Sequence, residues 1–259
     1  MGHRYAKDVH LKESNWWNTG NYKKLGSLGC YQYGGDLQSY LQKKGHLKPH
    51  KALRLALDIA RGMNYLHECK PDPIIHLDLR PKNILLDRGN QLKVAGFGLL
   101  QITKVSPDKA KLAQPDAKIH RTSLYMAPEV YKDEIFDRSA DAFSFGLILY
   151  EVCLSICPCL FGFQMIEGVP AFHPKAPEDA SKMICLEGLR PSFRSKSKSY
   201  PPDVKELIEG CWDPDPVVRP TFSEIIIRLD KTYAKTIRQG WWKDNFKLPW
   251  YVFLTNSIL

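Results

Sequence analysis

Several patterns that would fix a function early are missing from this chain. Its 259 residues include seven cysteines, an odd number with no secretory signal ahead of them. A disulfide framework is therefore not expected; reduced thiols in a cytoplasmic protein are. Cys157-Pro158-Cys159 has no second Cys/His pair at ligand spacing, which argues against a zinc site. No zinc-finger, RNP or basic-zipper pattern occurs. The excess of 37 Lys+Arg over 28 Asp+Glu is scattered, and its densest group, Arg194-Ser195-Lys196-Ser197-Lys198, is short and Ser-rich. The formal charge of +9 thus describes a solvated surface, and nucleic acid is not an expected partner. There is no G-x-G-x-x-G, and no V-A-I-K-like strand carries a lysine.

Long apolar runs are equally scarce. The one from Ala142 to Ile166 is long enough to cross a bilayer and carries a single charge, Glu151. That charge falls near the middle of the run, and Pro158 interrupts it. A helix apolar on all sides is also what the centre of a soluble core requires, and a core helix is expected here rather than a membrane span.

What is present points to a folded body. A hydrophobic content of 44% and 11% aromatics suffice for one substantial core. Residues 1–33 show no sustained period and read as a leader. Asp36-Leu37-Gln38-Ser39-Tyr40-Leu41 reads as a capped short helix stopped at Gly45. Leu53, Ala56, Leu57, Ala60 and Met63 recur at helical steps, predicting an amphipathic helix from Pro49 to His67. Ile84-Leu85-Leu86 and Gln91-Leu92-Lys93-Val94-Ala95 flank Asp87-Arg88-Gly89-Asn90 and predict a β-hairpin. Between Gly98 and Met126 the chain is polar with few apolar anchors, and a long functional loop is expected. Val204, Leu207, Ile208 and Cys211 share one helical face, which ends at Trp212-Asp213-Pro214-Asp215-Pro216. Thr221-Phe222-Ser223-Glu224 is a capping box ahead of a last helix. An aromatic, basic extension covers 232–259.

The chemistry centres on His76-Leu77-Asp78-Leu79-Arg80-Pro81-Lys82-Asn83. A carboxylate and a carboxamide five residues apart in a loop suit phosphoryl transfer: one accepts a hydroxyl proton, the other holds a metal that bridges phosphates. The spacing resembles the protein-kinase catalytic loop, H-R-D-L-x-x-x-N. Gly96-Phe97-Gly98, Ala127-Pro128-Glu129, Asp141-Ala142-Phe143-Ser144-Phe145-Gly146 and Arg219-Pro220 follow in the order that family uses. The whole resembles the C-terminal lobe of a protein kinase over residues 34–231. Leu41-Gln42-Lys43-Lys44-Gly45, Ser123-Leu124-Tyr125-Met126-Ala127-Pro128-Glu129 and Trp241-Trp242-Lys243 are similar to the Raf-like, integrin-linked-kinase-like group of plants.

The resemblance implies a mainly α, α+β fold: a kinase-like C-terminal lobe with a small hairpin at the catalytic loop. It implies ATP with Mg²⁺ or Mn²⁺ as cofactor, and a protein substrate or partner kinase. It gives Asp78 the substrate hydroxyl, Arg80 the transferred phosphate and Asn83 a metal. It places Leu85 under the adenine and puts His76 and Phe97 in a stacked apolar column. Asp141 would brace the catalytic loop, and Glu129 would pair with Arg219. Thr122, Ser123 and Tyr125 fall where substrate docks or phosphorylation acts.

Four departures qualify that picture. Gly96 stands where the family has the aspartate that is the principal metal ligand, leaving Asn83 to bind a metal weakly. Residues 1–33 are too few for the family's nucleotide-binding small lobe, so that lobe is expected to be largely missing. Leu77 replaces the arginine that reads a phosphorylated activation loop. Residues 153–164 are an apolar insertion. The expectation is a degenerate kinase with weak or no phosphoryl transfer. The alternative is a non-catalytic scaffold that binds other signalling proteins.

Overall fold

The computed structural model describes residues 35–44, 47–87, 89–97, 100, 102–113, 123–154, 172, 175–193 and 202–239. The leader at 1–33, with the small lobe it was judged unable to supply, lies outside the described residues, as do Thr122, most of the 153–164 insertion and the tail from residue 240. Seven α-helices, a short 3₁₀ turn and two separate two-stranded antiparallel sheets are the regular elements of the described part. In chain order they are α1 (Leu37–Lys44), α2 (Pro49–His67), β1 (Ile84–Leu86), β2 (Leu92–Val94), β3 (Ile102–Ser106), β4 (Lys109–Leu112), α3 (Pro128–Tyr131), α4 (Ser139–Leu154), α5 (Pro177–Cys185), α6 (Pro202–Cys211) and α7 (Phe222–Gln239).

α4 is the central element. From Ala140 to Cys153 every residue is buried, so the apolar run is a core helix as expected, and no described helix is long and apolar enough to cross a membrane. The helix starts at Ser139, where Asp137 Oδ1 accepts the Ser139 N–H at 2.7 Å and caps it. α4 crosses α6 at Gly146. A Cβ added there would lie 2.8 Å from Cys211 Cβ and 3.3 Å from the Trp212 nitrogen, so only glycine permits the approach.

α2 buries the predicted stripe and packs along α7, with β2 and α4 on its flanks. α1 is capped as read, with Asp36 Oδ1 accepting the Ser39 N–H at 2.8 Å. The capping box of α7 is formed, with Thr221 N–H donating to Glu224 Oε2 at 2.8 Å and Glu224 N–H reaching Thr221 Oγ1 at 3.4 Å. β1 and β2 pair Ile84 with Val94 and Leu86 with Leu92, as the alternation predicted.

The stretch from Gly98 to Met126 was expected to be a loop and is in part a second hairpin, β3–β4. Its cue was alternation around the Pro107-Asp108 turn: Ile102, Ala110 and Leu112 face inward while Thr103, Lys109 and Lys111 are exposed. Ala110 and Phe136 exchange both backbone hydrogen bonds at 2.9 Å, which ties the hairpin to the segment ahead of α4. Lys104 Nζ reaches Asp72 Oδ1 at 2.5 Å from the same hairpin.

Glu129 and Arg219, expected as a pair, form a buried two-pronged one at 2.6 and 3.0 Å, with the arginine side chain fully enclosed. Arg219 Nε also donates to the Asp213 carbonyl at 2.9 Å. Its guanidinium stacks 5.0 Å from the Phe143 ring centre, and that of Arg190 stacks 4.9 Å from the same ring. Breaking the pair strands a buried cation. Glu129→Gln should therefore cost about 3–5 kcal/mol in urea unfolding, while the double variant Glu129→Leu/Arg219→Met recovers most of the loss.

Candidate active site

The loop from Ile74 to Asn83 leaves α2 under the Ile74 N–H to Leu66 carbonyl bond of 2.9 Å and is shaped by one buried side chain. Asp141, with no solvent exposure, accepts the His76 N–H on Oδ2 and the Leu77 N–H on Oδ1, both at 2.8 Å. His67 Nε2 approaches Oδ2 at 2.8 Å from the end of α2. Receiving two successive N–H groups on one carboxylate turns the backbone, and Leu77 sits in the left-handed region at φ 63°. That conformation disfavours a side-chain-bearing residue by roughly 1–2 kcal/mol. Leu77 is 94% withdrawn from solvent on the usual scale, at 6% exposure, so its side chain is packed rather than projecting as a cation would. Burial works to raise the Asp141 pKa; the His67 hydrogen bond, the charges of His67 and His76 and the His76 N–H outweigh it and hold it below the ordinary carboxylate value.

His76 is buried and links the loop to the segment after β2. Its Nδ1 faces the Asp78 N–H at 3.3 Å and its Nε2 lies 2.9 Å from the Ala95 carbonyl. The ring meets Phe97 edge-on, 6.3 Å between centres, so these two residues are in contact as the stacked column requires.

Asp78, Arg80, Asn83 and Gly96 converge. A short 3₁₀ turn, Pro81–Asn83, returns the Asn83 carboxamide over Asp78. There Asn83 Nδ2 donates to the Asp78 carbonyl at 2.7 Å and to Oδ2 at 2.8 Å. Arg80 Nε lies 3.2 Å from Asp78 Oδ1 at an angle that makes no hydrogen bond, so the contact is one of charge. Gly96 has φ +78°, and a Cβ built on it would sit 2.9 Å from Asn83 Cγ and 3.1 Å from each of its terminal atoms. The carboxamide therefore rests where a side chain on residue 96 would begin. Leu85 stands apart from this cluster: half-buried on β1, it pairs through its backbone with Asp36.

The sequence reading missed three features of the site. His67 as a partner of Asp141 was hidden because the two are 74 positions apart. Arg138 Nη1 donates to the His67 carbonyl at 3.2 Å. Tyr125, placed where substrate docks or phosphorylation acts, has its hydroxyl engaged: it donates to Glu151 Oε2 at 2.8 Å, while Ser144 Oγ donates to the Tyr125 carbonyl at 2.6 Å. Burial, then the Glu151 charge and hydrogen bond, push the phenol well above its ordinary value, with Arg80 opposing. The cue was Glu151, a lone charge in an apolar run that needed a partner. Among the described residues no group of His, Cys, Asp and Glu could hold a metal ion.

Two stability measurements follow from this geometry. The Asp141 contribution is complete above the ordinary value of 3.8 and is withdrawn as pH falls below it toward the folded value. Asp141→Asn should lower stability by about 3 kcal/mol at neutral pH. The variant should also flatten the acid limb of stability against pH, as followed by denaturant unfolding. Gly96→Ala should cost about 1–2 kcal/mol for its backbone and more for displacing Asn83. In a double-mutant cycle with Asn83→Ala the steric part should vanish and the backbone part remain.

Residues 28–229 match the family described as protein tyrosine and serine/threonine kinase. Integrin-linked protein kinase 1 of Arabidopsis thaliana is 64% identical over 220 residues, which are 85% of this chain and 43% of that protein. Serine/threonine-protein kinase 12 of the same organism is 47% identical over 196 residues, 76% of this chain and 39% of that protein. Serine/threonine-protein kinase VIK, also from Arabidopsis, is 44% identical over 213 residues, 81% of this chain and 44% of its own length. The chain thus spans less than half the length of these curated relatives.

Proposed function

From the premise that this chain belongs to the protein tyrosine and serine/threonine kinase family, and is similar to plant integrin-linked protein kinase, we propose that it is a cytoplasmic signalling protein whose own phosphoryl transfer is weak or absent. In this reading the lobe acts on other signalling proteins, as substrates or partner kinases, mainly by binding them.

The observation that carries the reading is the contact between Asn83 and Gly96. The family works with ATP and a divalent cation, and transfer there is positioning plus charge neutralisation around the phosphates. A phosphate-bridging Mg²⁺ or Mn²⁺ ordinarily takes one or two carboxylates. Gly96 offers no side-chain oxygen, and the Asn83 amide is committed to Asp78, which leaves Asn83 Oδ1 as a single neutral donor. That donor set does not fit a bridging cation. Asp78 retains the carboxylate for a hydroxyl proton and Arg80 a charge beside it, but neither replaces the metal. Leu85 and Phe97 are assigned to the nucleotide side of the site, and His76, Glu129, Asp141 and Arg219 to its scaffold. Residues 1–33 are assigned as a leader, 34–231 as the lobe and 232–259 as an extension.

A specific observation favours the binding role over simple loss of function. The parts that shape the lobe's surface are kept: the Asp141 clamp, the buried Glu129–Arg219 pair and the docked β3–β4 hairpin. The group missing is the one that only the chemistry needs.

Radiolabelled phosphate transfer from ATP to a generic protein substrate, with Mg²⁺ and with Mn²⁺, tests the reading. The wild-type rate should equal that of Asp78→Asn; turnover that Asp78→Asn abolishes would refute it. Thermal shift with ATP, with and without Mn²⁺, should leave the melting temperature unchanged.

A further inference from the structure

We propose that the surface where α1 meets the start of α2 is a docking face for an anionic membrane, a bilayer leaflet rich in phosphatidylserine. The proposal goes beyond the functional reading and uses no group of the Asp78 site. It stands whether or not the chain transfers phosphate.

Between Leu37 and Leu57 the chain carries five Lys and Arg residues, Lys43, Lys44, Lys48, Lys51 and Arg54, and no Asp or Glu. They are spaced out along the sequence, and the fold gathers them. Leu37 and Leu41 turn one side of α1 into the core, while Lys43 and Lys44 in its last turn are exposed. Tyr40 stands three and four residues before those lysines and is their neighbour on the helix surface. The Lys51 ammonium lies 5.3 Å from the centre of the Tyr40 ring, which joins the start of α2 to the same face. Arg54, exposed and three residues past Lys51, donates from Nη2 to the Asn90 carbonyl at 3.2 Å. Burial, then the charges of Lys48, Lys51 and Arg54, lower the His50 pKa, as three cations acting on one point must.

Stability of the fold does not ask for this charge. The start of a helix favours carboxylates in its first turn and an oxygen-bearing cap. α2 has neither: its first turn holds no acid, and Lys48 stands at the cap position without a side-chain cap bond. The flanking acids are engaged elsewhere. Asp36 caps α1 through Ser39, and Asp58 accepts the Leu92 N–H at 3.3 Å and shares its charge among Arg54, Arg61 and Lys93. None of Lys43, Lys44, Lys51 and Arg54 is in an ion pair among the described residues, whereas Arg61 further along α2 is joined to Asp230.

The kind of partner follows from what the face lacks. Protein interfaces depend on apolar or aromatic anchors seated at their centre. Among the described residues, none of the large hydrophobic side chains that stand exposed falls between 37 and 57. Single-stranded nucleic acid is held by aromatic rings on which bases stack, and the one ring here, Tyr40, lies under Lys51. An anionic leaflet needs only clustered point charges, for which lysine is suited, within a Debye length of about 8 Å. The face is also fixed to the rest of the lobe. α1 lies against the 3₁₀ turn Pro81–Asn83, and Asp36 pairs with Leu85, so a lobe adsorbed through these lysines is held in one orientation.

The test is co-sedimentation of the full chain with phosphatidylcholine vesicles, with and without about one-third phosphatidylserine, at physiological salt. Binding should require phosphatidylserine and fall more than about tenfold at ~1 M salt, where the Debye length shrinks to about 3 Å. Each cation near a leaflet is worth about fivefold, so Lys43→Gln/Lys44→Gln should weaken binding about 25-fold. Lys175→Gln/Lys182→Gln removes the same net charge at and beside α5 and should bind as the wild type does. The lipid and salt dependence of the wild-type chain tests the proposal even if a variant misfolds. No binding, equal binding without phosphatidylserine, binding kept in Lys43→Gln/Lys44→Gln or an equal loss in the α5 variant would each overturn it. Tighter binding to duplex RNA or to polyglutamate, lost in Lys43→Gln/Lys44→Gln, would also overturn it by giving the face to another class of partner.

Discussion

A single buried carboxylate sets the geometry on which the rest of this site depends. Asp141 stands at the start of the most enclosed helix and receives two consecutive backbone N–H groups and an imidazole, from a loop and a helix far away in sequence. An unpaired charge at that depth would be prohibitive, so its three partners must close together. Closing them bends Leu77 into the left-handed region just ahead of Asp78. The catalytic-loop geometry is thus a by-product of satisfying one buried anion.

Much of this was legible in the sequence because the fold rests on local signals. Periodicity gave the helix from about Pro49 to His67, alternation gave the first hairpin, and Thr221 with Glu224 marked the start of α7. The site residues Asp78, Arg80 and Asn83 came together because they lie within one short loop. What stayed hidden depends on distance along the chain or on register. His67 and Asp141 are joined only by the crossing of α2 and α4, and no window of sequence spans it. The second hairpin was masked by its lysines, which make a strand with one inward face look like a polar loop. The engagement of Tyr125 by Glu151 needed the helix and the loop to be seen side by side.

The scaffold of this lobe rests on a few tightly packed contacts. The buried ion pair, the Phe143 ring between two guanidiniums and the α4–α6 crossing at Gly146 are each intolerant of change and each intact. The two loop positions that depart from the family pattern are constrained as well: Leu77 is packed into the core, and Gly96 lies against the Asn83 carboxamide with no room for a Cβ.

The seat taken by the Asn83 carboxamide also limits what residue 96 can become. A side chain placed there would need that neighbour to withdraw from Asp78 first, giving up two hydrogen bonds on the way. A carboxylate at this position is thus a change that involves two residues at once, because its first carbon would begin inside space that Asn83 fills.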